Sequence, residues 1–249
     1  MCRHTYKHVT TAFMKQTLNA VIILVGINIL IYFASNSIEL TQFLALYFPE
    51  HDYFGAWQYV SHMFMHGGLM HLLFNMFALW MFGTHLENIW GAKRFIFFYF
   101  ACGIGAALIY TAINYYQFNE VYALLSNTGL SAYDIQAMID KSEYPPTILS
   151  EDQARQLIGI FHTPMVGASG AIYGVLVAFA FNFPNHKLML MFIPYPIAAK
   201  YFVPALISLD LFSGVTGFSI FGGGVAHFAH VGGAIIGFLM MMYWRPRVN

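Results

Sequence analysis

The chain has 249 residues, 59% of them hydrophobic and 9% charged, and its formal net charge is zero. That apolar content exceeds what an ordinary soluble domain carries, and the absence of a basic tract excludes a nucleic-acid-binding role. Long unbroken apolar runs, rather than ten-residue alternations, predict an all-α polytopic membrane protein and not a β-barrel.

Six membrane spans are predicted, in chain order, within a single domain covering residues 1–249. The first, about 18–33, follows Arg3, Lys7 and Lys15. Ala34-Ser35-Asn36 is a poor cleavage site, so this span reads as an uncleaved anchor. The second, about 57–82, is interrupted by histidines, and the third is about 95–115. A polar insertion, about 117–163, follows. Its Leu124, Leu125, Ile135, Met138 and Ile139 predict one or two short amphipathic helices against the membrane surface, broken by Pro145-Pro146. The fourth span, about 168–183, is short and stops at Pro184. The fifth is about 198–212, with Asp210 expected at its outer end. The sixth is about 225–244, before the basic tail Arg245-Pro246-Arg247. Cys2 and Cys102 lie too far apart in this plan to form a structural disulfide, and neither marks a metal site.

Charge tests the plan independently. With both termini cytoplasmic, nine of the eleven basic residues fall on the inner side: Arg3, Lys7, Lys15, Lys93, Arg94, Lys187, Lys200, Arg245 and Arg247. Most acidic residues, Glu39, Glu50, Asp52, Glu120 and those of the insertion among them, fall outside. The positive-inside rule therefore supports a multi-pass protein of the cell (inner) membrane with six spans.

Polar groups at membrane depth are expensive and mark function by default. Ser169, in Gly167-Ala168-Ser169-Gly170, opens the fourth span. A helix start offers unpaired N–H groups and a positive dipole end, both suited to a developing oxyanion. Gly167 and Gly170 leave room for a substrate backbone. His230 lies early in the sixth span, in Ala229-His230-Val231-Gly232-Gly233. Gly233 and Gly237, and likewise Gly170 and Gly174, form small-xxx-small faces that let helices approach closely. Packing of those faces brings a serine nucleophile to a histidine base. Tyr173, one turn after Ser169, is placed to stack on the imidazole. His71 and Asn75, four residues apart on the second span, point one way and can both donate to an oxyanion.

These motifs resemble the rhomboid family of intramembrane serine proteases. The resemblance rests on Gly-Ala-Ser-Gly at 167–170, Ala-His-x-Gly-Gly at 229–233 and His-x-x-x-Asn at 71–75. The strings around Trp57–His62, Leu72–Asn75 and Asp210–Phe212 add to it, and it covers about residues 18–244. It implies a Ser169–His230 dyad and an oxyanion hole from His71, Asn75 and the Ser169 N–H. It also implies Tyr173 packed on the imidazole, Glu87 as a structural carboxylate and Ser213–Gly224 as a cap over the site. The implied substrates are transmembrane protein segments in the lipid bilayer, cut near the outer face without metal or organic cofactor. Gln58 stands where the family usually has arginine, and the insertion after the third span is long.

Other readings compete. His227 shares a face with His230 and is a rival base; the Gly-Gly after His230 and the family pattern favour His230. His62 and His66 have metal-ligand spacing but lack a third ligand, and read as loop-packing or cavity residues. The methionines near Met63, Met189 and Met240 read as filler or lipid-facing groups. The alternative to a protease is a catalytically silent rhomboid-like protein that binds membrane clients. A haem or metal protein using His62, His66, His71 or His227 is a weaker third.

Overall fold

The computed structural model describes residues 19–35, 38–190, 193–218 and 226–244. Eleven helices and one small hairpin occur among them. They are α1 (Ala20–Ala34), α2 (Ile38–Leu44), α3 (Gln58–Ser61), α4 (Leu69–Ala78), α5 (Thr84–Trp90), α6 (Ala92–Ser126), α7 (Ala132–Lys141), α8 (Glu151–His162), α9 (Ser169–Asn182), the antiparallel pair β1 (Lys187–Leu190) and β2 (Ile193–Ala198), α10 (Ala199–Thr216) and α11 (His227–Trp244). Three helical stretches are long and apolar enough to cross a membrane: Leu69–Trp90, Ala92–Ser126 and His227–Trp244. α1 and α9 are shorter apolar helices. α10 has 18 residues with Pro204 inside it.

α9 lies at the centre. It is apolar all round, and Gly170, Ala171, Ile172 and the run Gly174–Phe179 are buried, as expected for a helix enclosed by others. It packs on α6 and α11. Glycines set the spacing. A Cβ at Gly233 would lie 1.8 Å from the Gly170 carbonyl oxygen, and one at Gly237 would lie 2.7 Å from the Gly174 Cα. A Cβ at Gly174 would meet the Cys102 sulfur at 2.4 Å. The two small-residue faces read in the sequence therefore meet backbone to backbone.

The second span differs from the sequence expectation. Residues 57–68 are not part of it. α3 passes into a 3-10 turn (His62–Phe64), and the chain then extends through Met65 to Gly68. Polar ties hold this stretch to the loop before it: Trp57 Nε1 donates to the Phe43 carbonyl at 2.7 Å, and Ser61 Oγ to the Leu44 carbonyl at 2.7 Å. The membrane helix begins at Leu69 and continues through a π turn (Leu79–Gly83) to Trp90. It stops only at Gly91, whose φ of 77° favours glycine.

Gln58 is fully buried, and its amide is what ties that loop together. Nε2 donates to the carbonyls of Tyr53 (2.8 Å), Gln42 (3.1 Å) and Phe43 (3.4 Å), while Oε1 accepts from the Tyr47 N–H at 3.2 Å. Replacing it with leucine keeps the volume and strands these groups, which costs about 2 kcal/mol. Hydrogen exchange at the Tyr47 amide is expected to accelerate at least about tenfold in Gln58→Leu; unchanged exchange would show that the loop is held by other contacts.

Glu87 caps α1. Its two oxygens accept from the Ala20 N–H at 2.7 Å and the Val21 N–H at 3.0 Å, a carboxylate at the positive end of a helix. Glu87→Ala removes both charge-assisted bonds and is expected to lower stability by about 3 kcal/mol. Thermal unfolding in detergent reads the effect, with Glu87→Gln falling between alanine and the wild type.

The insertion also departs from expectation. It does not begin as a loop at 117, because α6 runs unbroken for 35 residues to Ser126. Phe118, Val121 and Leu125 of that extension are buried with Phe48, Ile135, Ile139, Leu149, Leu157 and Phe161 in a second apolar core. Leu125, Ile135 and Ile139 thus face one another rather than a membrane surface. Capping boxes at Ser131/Asp134 and Ser150/Gln153 start α7 and α8, and the Pro145-Pro146 break falls between them. Of the expected cap, residues 213–216 are the last turn of α10, and Ser219–Gly224 lie outside the described residues. So do the N-terminal basic residues and the tail after Trp244.

Candidate active site

Three elements converge on Ser169. The chain leading to it is pinned on both sides: Met165 and Leu46 exchange backbone hydrogen bonds at 2.8 and 3.0 Å, and the Gly167 N–H donates to the His62 carbonyl at 2.9 Å. Gly167 has φ of 122°, where a side chain is strained. Ser169 is the first residue of α9, so its N–H lies at a helix end where backbone donors have no intrahelical acceptor.

α11 brings His230 to Ser169. His230 Nε2 and Ser169 Oγ are 2.8 Å apart, and the close glycine contacts described above make that approach possible. Tyr173 lies flat against the imidazole, with ring centroids 4.3 Å apart and planes 9° from parallel. α4 supplies the third wall. The His71 ring fills the space beside Gly167, where a Cβ would meet His71 Cε1 and Nε2 at 2.9 Å and Ser169 Oγ at 3.7 Å. Asn75 is buried one turn on, and its Nδ2 donates to the His71 carbonyl at 2.8 Å.

The space at Gly167 is taken by His71, and that at Gly170 by Ala106, whose Cβ would be 2.7 Å away. At these glycines the absent side chain leaves room for His71 and for Ala106 of α6. Gly233 and Gly237 serve the α9–α11 contact.

The sequence reading gives Asp210 no part in the site. It is 5% exposed, six residues before the end of α10. Its Oδ1 lies 2.6 Å from His227 Nδ1 and 3.1 Å from His230 Nδ1, and its Oδ2 accepts a short hydrogen bond from the Tyr173 hydroxyl. The signal was available: a carboxylate inside an apolar segment is a functional hypothesis on its own. His227 and His230 both turn Nδ1 to Asp210, and His230 places its Nε2 beside Ser169 Oγ. Among the described residues, Asp210, His227 and His230 are the group whose donor atoms, within 4.8 Å of one another, have metal-ligand character. His66 is buried, with its ring 5.1 Å from that of His71, and His62 is buried with Nδ1 at the Gln58 carbonyl.

Comparison with known proteins fits this geometry. The family model of the rhomboid domain matches residues 53–247, well over half of the chain. The chain belongs to the rhomboid family. Its membrane helices and this membership make it a multi-pass membrane protein. Among rhomboid relatives, it is 27% identical over 244 residues to the yeast (Saccharomyces cerevisiae) Rhomboid protein 1, mitochondrial, covering 96% of this chain and 58% of that protein. It is 29% identical over 197 residues to the Rhomboid protease AarA of Providencia stuartii, covering 74% of this chain and 54% of that one. The human Presenilin-associated rhomboid-like protein, mitochondrial, is 26% identical over 190 residues, covering 74% and 38%. The chain spans about half the length, or less, of these relatives.

Proposed function

We propose that the chain is an intramembrane serine endopeptidase that cleaves transmembrane segments of membrane proteins near the outer membrane face. The observation that carries this reading is the 2.8 Å contact between His230 Nε2 and Ser169 Oγ at the start of a buried helix. In this mechanism His230 takes the hydroxyl proton as Ser169 Oγ attacks the scissile carbonyl, then delivers it to the leaving amine. The oxyanion is met by the Ser169 N–H, His71 and the second N–H of the Asn75 amide. Water, deprotonated by His230, hydrolyses the acyl-enzyme, and His230 passes that proton to Ser169 Oγ as the acid product leaves. None of these steps requires a metal or organic cofactor.

The proposal takes residues 1–249 as one domain with six crossings, both termini cytoplasmic, in the cell (inner) membrane. α1, Leu69–Trp90, α6, α9, α10 and α11 would be the crossings. The distribution of Lys and Arg supports that orientation.

Labelling with a fluorescent fluorophosphonate tests the reading, using membrane-embedded wild type, Ser169→Ala and His230→Ala. The expected result is labelling of the wild type alone. A folded wild type that neither labels nor cleaves a transmembrane peptide would overturn it and favour the silent, client-binding alternative.

A further inference from the structure

Asp210 lies 37 residues beyond Tyr173 in the chain and 17 and 20 residues before His227 and His230, so only helix packing brings the four together. A carboxylate in this setting is costly unless every lone pair has a donor. Here three side chains surround it. The Tyr173 hydroxyl serves Oδ2, and the Nδ1 atoms of His227 and His230 both face Oδ1.

An ionised carboxylate only accepts, so each facing ring nitrogen must carry its proton. For His230 that fixes the tautomer: hydrogen on Nδ1, a bare lone pair on Nε2. The bare nitrogen is the one 2.8 Å from Ser169 Oγ. Tyr173 acts twice, stacking on the imidazole face and donating to the same carboxylate. The ring's plane and its partner are therefore held by one side chain. His227 holds Oδ1 from the other side at 2.6 Å, which keeps the carboxylate from turning away.

We infer that Asp210 is the positioning residue of the Ser169–His230 pair, with His227 as the clamp on the carboxylate. The inference rests on the protease reading. The carboxylate orients the imidazole and stabilises the imidazolium that forms when Ser169 gives up its proton. No proton passes to Asp210.

Two measurements test it. The first is the rate constant for fluorophosphonate labelling of Ser169 in wild type, Asp210→Asn and Asp210→Glu, each with a verified thermal transition. Asparagine keeps the shape but presents an amide donor to Nδ1, favouring the wrong tautomer. The rate is expected to fall about 10²- to 10⁴-fold in Asp210→Asn, with part of it restored in Asp210→Glu. A folded Asp210→Asn protein labelled within about threefold of wild type would sink the inference. The second needs no Asp210 variant to fold: ¹⁵N NMR of histidine-labelled wild type, reading the imidazole signals that vanish in His230→Ala. Protonated Nδ1 with bare Nε2 supports the inference, and a proton on Nε2 overturns it. A merely structural tie between α10 and α11 would not set that tautomer. Absence of labelling in the wild type would instead count against the protease reading, and the tautomer would still be read separately.

Discussion

Ser169→Ala is expected to reduce cleavage of a transmembrane substrate by about 10⁴-fold or more while changing stability by no more than about 1 kcal/mol. The two parts of the expectation have different origins. Only the hydroxyl supplies a nucleophile, and it is the group that faces His230 Nε2. The methyl group left behind fits, because Ser169 is the first residue of α9 and only partly buried. What is lost structurally is one hydrogen bond to His230. Cleavage in proteoliposomes and thermal unfolding of the same preparation read both quantities. His230→Ala belongs to the same unit, so the double variant is expected to be no slower than either single one. Cleavage by a folded Ser169→Ala protein at the wild-type rate would end the mechanism.

Among the described glycines, Gly233 is the one where an added methyl group is expected to do the most damage. The atoms it would meet are the Gly170 carbonyl oxygen at 1.8 Å and carbon at 2.7 Å. Backbone cannot rotate away as a side chain does, so α9 and α11 must separate by about 1 Å or more, at a cost of about 3 kcal/mol or greater. The separation falls next to the chemistry, since Gly170 follows Ser169 directly and His230 lies one turn before Gly233. A displacement of that size is worth about 10²-fold in rate. Both a lower unfolding temperature and slower fluorophosphonate labelling are therefore expected. Gly26→Ala is the control: a Cβ there meets nothing within 4 Å, and alanine in a helix is favoured over glycine by roughly 1 kcal/mol. Equal behaviour of the two variants would show that the α9–α11 contact does not set the site.

What was legible in the sequence was what local spacing encodes. The small-xxx-small pattern at Gly170/Gly174 and Gly233/Gly237 anticipated which faces meet, because a four-residue repeat lies along one helix edge. Tyr173, four residues after Ser169, was readable in the same way. The partners of Asp210 were not legible, because all three lie on other helices and reach it only through packing. The histidine pair at 227 and 230 was ambiguous for a related reason: three residues apart they share a face, and only the positions of α9 and α10 divide their tasks. The start of the second span was misjudged at 57 because Gln58, Ser61 and Trp57 are satisfied by tertiary bonds that no periodicity announces. The extension of α6 was hidden by its polarity. Its Phe118, Val121 and Leu125 recur at helical spacing, but their partners arrive from α7 and α8.

The length of α6 has a mechanical consequence. At 1.5 Å per residue its 35 residues reach about 52 Å, against a hydrocarbon layer of about 30 Å. The helix carries no proline and no break, so it bends only gently. Near its middle it is wedged against α9 and α11, where Cys102 meets Gly174, Gly105 meets Ile236 and Ala106 meets Gly170. From Cys102 to Leu125, the last residue of α6 in the second core, is a lever arm of about 35 Å. A tilt of about 5° about that wedge carries the far end sideways by roughly 3 Å, as the rise per residue fixes the arm. The unit built from α7 and α8 is thus the handle of a stiff beam whose fulcrum is the contact between the helices bearing Ser169 and His230.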